Sequence, residues 1–457
     1  MEWDIPLDKS SDIPLYRQLS SAIIELIAQG KLSPDTKLPP IRQMAQALNV
    51  NNTTVVSAYK YLEQQAAVYT VVGSGTYVAR SISVVTPPTQ ALPVITDEYI
   101  NFADMATEAA LFPVAAFKRA FNAVIDKDGA AAFSHNDSSG YKPLKESICQ
   151  LLEGLAIKAT PDQVHIISNV EEGLDALCRT LLSPGDTVFA ERPASQGAIA
   201  AFKSRRVLIV EVPMAKEGPD FKTLETLLKK HRPRLFYVSP NYGQPLGICY
   251  SAENKRHLLE LACEYDFYIV EEDQFGDFYY DGVRKTPLKA LDYQDRVVYI
   301  KSFSRILTQG FGIGFIVWPG QMHEIRLDAN VSLPGYAQRA FDILIRSGDF
   351  EAHAANMRRY YGKRYQKMTT AACTYLAPLA DFELPGGGLS LWITPRIPHS
   401  SDIGDYTNKF LLRKVVVSPG RLFAADMPGF RISFAAVPEE RIAEGIGVIA
   451  SVLAAEL

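Results

Sequence analysis

One short stretch near the amino terminus carries side chains suited to hydrogen bonding with a ligand. Apolar residues recur there with helical spacing at Val55, Tyr59 and Leu62, which leaves polar residues on the opposite face. The outward polar residues are Thr53, Thr54, Ser57 and Lys60, with Asn52 as a candidate N-cap. Hydroxyl and amide groups on an exposed helix are able to read base edges, and a lysine can contact phosphate. The stretch is therefore a candidate recognition helix.

The elements around this helix have an informative order. A first amphipathic helix is predicted over 14–30, and a second begins at Pro40. After the third helix, β-branched and aromatic runs at 68–72 and 76–79 flank a glycine-containing turn, which predicts a hairpin. Helix, helix, turn, helix and hairpin is the order of a winged helix-turn-helix, whose third helix enters the major groove. The alternative is a small helical dimerisation domain, which would need neither the polar cluster nor the glycine-tipped hairpin.

The remaining chain predicts a larger domain after a linker. Residues 81–97 contain three prolines and little periodicity, which indicates a semi-rigid linker. Beyond it, short apolar runs alternate with helical patterns, as is typical of an α/β domain with a mostly parallel sheet. The protein is thus expected to be multidomain. We expect an α+β winged helix-turn-helix at 1–80, the linker, and a domain at 98–457 with a large α/β part over about 98–325 and a smaller α+β cap over about 326–457.

Composition excludes several classes of protein. The 457 residues are 47% hydrophobic and 21% charged, which suits folded globular domains rather than disorder. The cysteines form no C-x-x-C pair and the histidines lack metal-ligand spacing, so neither a disulfide framework nor a metal site is expected. The sequence has no recognisable secretory signal or membrane-spanning run, and a cytoplasmic location is expected. The net charge is −4 overall and zero over 1–80, which predicts weak nonspecific binding to nucleic acid.

The first 80 residues resemble a family of bacterial repressors. Three segments carry the likeness, namely PLYRQL at 14–19, LPPIRQMAQALNVNNTTVVSAYKYLEQ at 38–64 and GSGTYV at 73–78. They are similar to the GntR family. The resemblance implies that Arg42 contacts phosphate and that Gly73 and Gly75 let the wing approach the DNA backbone. It also implies a DNA-binding face made of Asn52, Thr53, Thr54, Tyr59 and Lys60.

Landmarks of a second family follow in order along the larger domain. They are SSGYKPLKESI at 138–148, LLSPGDTVFAERP at 181–193, SPNYGQPLG at 239–247, IVEEDQF at 269–275, SFSR at 302–305 and GFGIGF at 310–315. They resemble fold-type I aminotransferases, which depend on pyridoxal phosphate. Joined to a GntR-like module, they resemble the MocR subfamily of regulators. This resemblance implies a homodimer, arranged head to tail, whose two modules read operator DNA.

The residues that the family's cofactor needs are replaced in this sequence. Where the family has the lysine that forms the Schiff base, SFSR ends in Arg305, whose guanidinium stays protonated. The phosphate-binding arginine corresponds to Gly312, the stacking aromatic to Ser195, and the phosphate turn ends in Glu171. Covalent attachment of pyridoxal phosphate is therefore not expected. Arg305 could instead replace the missing phosphate-binding cation.

Other positions keep the chemistry that the resemblance implies. Asn241 could meet the phenolic oxygen of the cofactor, and either Glu272 or Asp273 is the acid for its pyridine nitrogen. Arg431 corresponds to the arginine that grips a substrate α-carboxylate, the alternative being a structural ion pair at a domain seam. Lys301 is a candidate for a relocated Schiff-base lysine, although an ordinary surface or strand-end lysine is the more common case.

The sequence thus predicts a DNA-binding transcription regulator with a non-catalytic aminotransferase-like domain for dimerisation and effector binding. The expected partners are a double-stranded DNA operator, a second copy of the chain, and a small carboxylate or amino-acid-like effector, with no membrane. Two alternatives stay open. One is a regulator that binds pyridoxal phosphate without a covalent bond or through another lysine, and the other is an active aminotransferase, against which Arg305 argues.

Overall fold

The computed structural model forms two compact units, Met1–Val94 and Ile95–Leu457. It describes residues 7, 14–28, 32, 36–64, 67–71, 75–78, 96–133, 139–322, 334–396, 403–424 and 427–456. Most of the predicted linker lies outside these residues, as does Gly73 at the tip of the predicted hairpin.

The first unit contains the predicted helices and hairpin. Its elements are α1 Leu15–Ala28, α2 Ile41–Ala47, α3 Asn52–Gln64, β1 Val68–Val71 and β2 Gly75–Val78. The two strands pair antiparallel, and the apolar faces of the helices meet in one buried core, which contains Leu19, Ile23, Met44, Val55 and Leu62. The amphipathic periodicity therefore identified the buried faces correctly. Asn52 is the first residue of α3 rather than its cap, because the side-chain oxygen of Asn51 accepts the hydrogen bond from the Thr53 amide at 3.2 Å.

The second unit is built around one large sheet. Its strands are β3 Ile100–Asn101, β4 Val164–Ile167, β5 Thr187–Arg192, β6 Leu208–Ala215, β7 Gly218–Pro219, β8 Pro233–Val238, β9 Asn241–Gly243, β10 Ile248–Cys249, β11 Tyr268–Glu272, β12 Val297–Ser302, β13 Gly314–Val317, β14 Ala380–Asp381, β15 Ser390–Pro395, β16 Val415–Val416, β17 Ser418–Pro419 and β18 Phe430–Ser433. Eight of them form the sheet β4-β13-β12-β11-β8-β5-β6-β7. The pairs β12/β11, β11/β8, β8/β5 and β5/β6 are parallel, which confirms the prediction of a mostly parallel sheet.

Helices cover both faces of this sheet. They are α4 Val114–Asp128, α5 Lys142–Glu153, α6 Val170–Leu181, α7 Gln196–Ser204, α8 Phe221–Lys230, α9 Ala252–Glu264, α10 Gly335–Arg346, α11 Asp349–Ala371, α12 Ile403–Leu412 and α13 Ile442–Ala454. One buried cluster joins α6 and α7 to the sheet, and another joins α8 and α9 to it. Burial on both faces explains why central strands such as β8 and β12 are largely apolar.

A smaller antiparallel sheet accompanies the large one. It has the order β14-β15-β18-β17 and contains Arg431 in β18. The short strand β3, which follows the predicted linker, pairs in parallel with β16 and so lies with the carboxyl-terminal part of the chain. Among the described helices, none is long and apolar enough to cross a membrane.

The sheet topology brings the candidate site residues together. Because the parallel strands β5, β8, β11 and β12 point the same way, their carboxyl ends share one edge of the sheet. Ser195, Asn241, Glu272 and Arg305 each lie at the end of one of these strands or within three residues of it. Crevices at this edge are the usual ligand sites of open α/β sheets.

Candidate functional site

The polar face of α3 is accessible in the first unit. Asn52, Thr53 and Lys60 are exposed and Thr54 is half-buried, on the side of the helix away from the core. Arg42 is exposed in the first turn of α2. The side chains that the sequence assigned to a recognition surface can therefore reach a ligand, with one exception.

Tyr59 is the exception, and its expected place on the DNA-binding face is wrong. Its ring is only 7% exposed within the core of the first unit, and its hydroxyl donates to the carbonyl of Pro39 at 2.8 Å. Burial raises the pKa of the Tyr59 phenol above its usual range. The helical periodicity, which placed Tyr59 inside, predicted its position better than the family likeness did. Tyr59 therefore fixes the segment before α2 against α3.

Lys37, which lies against the hairpin, is a basic residue that the sequence analysis did not select as a candidate. Gly75 has a φ of +135°, and a Cβ added there would lie 2.8 Å from Cε of Lys37. The exposed Lys37 thus crosses β2 at a position that requires glycine, and its ammonium lies 5.8 Å from the ring centroid of Tyr77. Lys37 pairs with Tyr77 of the hairpin, and no local sequence pattern predicts this pairing. Lys37 is therefore a further candidate for phosphate contact.

A cavity of about 270 Å³ opens at the carboxyl edge of the large sheet. Its lining comes from both sheets and the helices between them, and comprises Met105, Val170, Glu171, Leu174, Ser195, Gln196, Gly197, Ala198, Gln244, Glu272, Gln274, Phe275, Arg305, Ser418, Leu422, Phe423 and Arg431. Two arginines, two glutamates and two aromatic rings are among these residues. No lysine belongs to this lining as the described residues form it.

Arg305 enters the cavity from the loop after β12. One terminal nitrogen donates to the carbonyl of Met105 at 2.8 Å, while the buried Nε has no hydrogen-bond partner among the described residues. Burial lowers the pKa of Arg305, and the charges of Glu171 and Glu272 act in the opposite direction. Arg305 is thus a fixed cation with unused donor capacity.

Arg431 enters the same cavity from the smaller sheet. Its terminal nitrogens donate to the carbonyl of Ala103 at 3.2 Å, to Oγ of Ser418 at 3.0 Å and to Oε1 of Gln244 at 3.4 Å. Its Nε is also buried, and no described residue pairs with it. Burial first, and then the charge of Arg305, lower the pKa of Arg431 to about 10. Neutral groups hold this arginine, so the alternative of an ion pair at a seam is not what the described residues form.

The two acids left open by the sequence have different environments. Glu272 lines the cavity, and its carboxylate accepts a hydrogen bond from the hydroxyl of Tyr237. Burial raises the pKa of Glu272 to about 7. Asp273 is buried away from the cavity lining, where it accepts a hydrogen bond from the hydroxyl of Tyr299 at 2.6 Å. Glu272 is therefore the acid that a ligand in the cavity would meet.

The side chain of Asn241 is hydrogen-bonded to a buried lysine. Its side-chain oxygen accepts a hydrogen bond from the buried ammonium of Lys255 at 2.7 Å, and its amide lies 3.5 Å from the carbonyl of Thr286. Asn241 lines a separate small recess of about 40 Å³, which Ser195 and Glu272 also border. Lys255, which the sequence reasoning did not single out, thus positions the amide that the resemblance assigned to the cofactor.

Lys301 is neither a surface lysine nor a lysine of the cavity. Its side chain is 3% exposed, and its ammonium lies 2.8 Å from Asp277 and 3.5 Å from Asp273. Burial opposes the charge of Lys301, but the two aspartates outweigh it and raise the lysine's pKa. Lys301 does lie near the end of β12, as expected of a strand-end lysine, but it is buried beside two acids rather than at the surface.

The fold and this cavity define the class of the protein. Residues 101–449 match the family model for aminotransferases of class I and II, and residues 15–78 match that for bacterial regulatory proteins of the gntR family. The structure of kynurenine aminotransferase from Pyrococcus horikoshii superposes with a TM-score of 0.74 at 28% identity, over 79% of this chain and 92% of that chain. The protein is a GntR-type helix-turn-helix domain fused to an aminotransferase fold.

Relatives of the same two-part architecture narrow the family. The probable rhizopine catabolism regulatory protein MocR of Rhizobium meliloti is 30% identical, over 84% of this chain and 82% of its own length. The uncharacterised regulator YdcR of Escherichia coli K12 is 26% identical, over 90% of this chain and 92% of its own length. The chain belongs to this family of MocR-like, DNA-binding transcription regulators.

Proposed function

We propose that the aminotransferase-like domain of this regulator is a non-catalytic effector and dimerisation domain. The observation that carries the proposal is the cavity itself, which presents Arg305 and Arg431 and no lysine. A guanidinium stays protonated and cannot form the Schiff base on which transamination depends. Arg305 follows β12 at the position where the family resemblance expects the lysine.

The residues at the site do not fit pyridoxal phosphate. The start of α6, where the family's phosphate turn is expected, is capped by the side chain of Asn169, which accepts the amide of Glu172 at 2.8 Å. The acids Glu171 and Glu172 in the first turn of this helix repel a phosphate. Ser168 offers a buried hydroxyl there that has no hydrogen-bond partner among the described residues, and it is a neutral donor. We therefore derive no step through this cofactor.

An absorbance spectrum of the full chain with added pyridoxal phosphate tests the proposal. We expect the spectrum of free cofactor, loss of the cofactor on gel filtration, and no covalent adduct after borohydride reduction. An active aminotransferase of the same fold serves as the positive control. A visible band that reduction converts into an adduct would overturn the proposal. Mass-spectrometric mapping of the adduct would then identify the lysine, and Lys301 is the first to check because it is the buried lysine nearest in sequence to Arg305.

We further propose that the chain acts as a homodimer with two DNA-binding units on repeated half-sites. Arg42 supplies a phosphate contact, and Asn52, Thr53, Thr54 and Lys60 form the face of α3 that meets the groove. Light scattering during gel filtration should give twice the chain mass. A monomer that still binds operator duplex with full affinity would exclude the dimer.

A further inference from the structure

The cavity holds two cations that the described part of the chain leaves without acidic partners at contact distance. No carboxylate oxygen of the described residues lies within 4 Å of either Arg305 or Arg431, although both guanidinium groups face the same space. Each has a buried Nε for which the described part of the chain supplies no hydrogen-bond partner. The two arginines are close enough for the charge of Arg305 to lower the pKa of Arg431.

Such an arrangement is costly unless an anion completes it. A buried charge is tolerated when it is paired, and two neighbouring guanidinium groups add mutual repulsion to the loss of hydration. Backbone carbonyls and neutral side chains fix both groups from behind, at Met105 for Arg305 and at Ala103 and Ser418 for Arg431. The groups are therefore held in place with donor capacity to spare. A guanidinium meets a planar carboxylate with two parallel hydrogen bonds, which matches that capacity.

The other polar residues of the cavity add a constraint on the ligand. Glu171 and Glu272 line the same space and attract the charge of Arg305 from a distance. Burial raises the pKa of Glu272 to about 7, so near neutral pH this acid supplies only part of a negative charge. Asp104 also attracts Arg305, so the cavity combines two anion-binding groups with nearby acids, and Glu272 is an acid of the lining that can accept a hydrogen bond from an amine.

We propose that this cavity binds a small dicarboxylate directly, with no cofactor beneath it, one carboxylate pairing with Arg431 and the other with Arg305. The inference rests on the proposed function, since it requires a pocket free of pyridoxal phosphate. An aliphatic dicarboxylate and an amino dicarboxylate share the chemistry that the two arginines recognise. Glu272 distinguishes them, because only an amino dicarboxylate has an ammonium for it to bind.

Calorimetric titration of the full-length protein, freed of pyridoxal phosphate, tests the inference. The probes are glutarate, L-glutamate and, as the matched monocarboxylate, butyrate. We expect the better dicarboxylate to bind roughly tenfold or more tightly than butyrate, because its second carboxylate gains a charged hydrogen-bonded pair. Arg305→Gln should reduce dicarboxylate affinity to the butyrate level, and Glu272→Gln should weaken L-glutamate but not glutarate if the ligand is an amino acid.

Control variants keep the result interpretable. Arg396 is an exposed arginine paired with Asp381, and Arg396→Gln removes the same charge without touching the cavity. Thermal unfolding of each ligand-free variant reports whether it folds, and Arg305→Lys serves as a second variant that keeps the charge but loses the two-pronged contact. Equal affinity for glutarate and butyrate, no binding of any probe, or undiminished dicarboxylate binding by Arg305→Gln would overturn the inference. A covalent pyridoxal phosphate adduct in the separate spectrum would instead overturn the proposed function.

Discussion

The ammonium group of Lys301 lies 2.8 Å from a carboxylate oxygen of Asp277, and both side chains are buried. Asp277 also pairs with Arg284, so the lysine belongs to a buried network of charges. Burial by itself would raise the pKa of Asp277, but Lys301 and Arg284 outweigh it and lower that pKa. Lys301 is therefore held in its charged form, which is unreactive toward an aldehyde.

Removing Lys301 should destabilise the second unit strongly. Lys301→Met takes the shared ammonium from Asp273 and Asp277, although Arg284 still pairs with Asp277, and removal of one partner from a buried pair costs about 3–5 kcal/mol. Urea unfolding of the full chain measures the loss. Lys216→Met is the matched control, because the Lys216–Glu383 pair is exposed on both sides and such pairs contribute about 0–1 kcal/mol. Similar losses for the two variants would show that the buried network contributes no more than a surface pair.

Substitutions on the polar face of the first unit should separate two kinds of DNA contact. Arg42→Ala should weaken binding to every duplex about equally, because a phosphate contact carries no sequence information. The slope of the logarithm of the binding constant against the logarithm of the salt concentration should become shallower by roughly one, because one phosphate contact is lost. Thr54→Ala or Asn52→Ala should instead change the preference among operator variants. Binding titrations at several salt concentrations, with specific and random duplexes, distinguish these effects. The reverse pattern would mean that the two roles are exchanged.

Tyr59→Phe should affect stability rather than sequence preference. The change removes the hydroxyl that donates to the Pro39 carbonyl and leaves the buried ring in place. We expect a loss of about 1 kcal/mol in the unfolding free energy of the first unit, typical of one buried hydrogen bond. Operator selection by this variant, measured with the same duplexes, should match that of the unaltered protein. A changed preference among operator sequences would mean that Tyr59 contacts DNA after all.

Glu272 should make the stability of the second unit depend on pH. Burial raises its folded pKa to about 7, so the folded state holds a proton that the unfolded chain releases at lower pH. The unfolding free energy should therefore fall as pH rises from about 4.5 to about 7, with no further change from this group above that range. Glu191 and Glu271 contribute in the same direction, because burial raises both of their pKa values to about 7.

Glu272→Gln should make the unfolding free energy depend less steeply on pH. At pH 8 the variant should be more stable than the unaltered chain. Urea unfolding at pH 5, 6, 7 and 8 provides the comparison. Glu264→Gln, at an exposed position of α9, controls for loss of a carboxylate. An unchanged slope for Glu272→Gln would show that its carboxyl group titrates alike in the folded and unfolded states.

The periodic spacing of hydrophobic residues accounts for most of the secondary structure that the sequence could predict. The helix faces of the first unit and the alternation of strands and helices in the second follow from local hydrophobic spacing, which the burial of the core enforces. Strand patterns could not separate Glu272 from Asp273, because β11 ends at Glu272 and the chain turns there. The partner of Lys301 and the crossing of Lys37 over Gly75 depend on contacts between distant segments or on backbone angles, and no short pattern contains either.

The strand β3 gives the linker a defined point of attachment. Ile100 and Asn101 pair with Val415 and Val416, and Ala103, just beyond them, accepts a hydrogen bond from Arg431. The backbone at the start of the second unit is therefore held by backbone hydrogen bonds to β16 and β18, and it also contacts the arginine of the cavity. The carbonyl that meets Arg431 thus belongs to the short stretch of backbone between the predicted linker and α4, the first α-helix of the second unit.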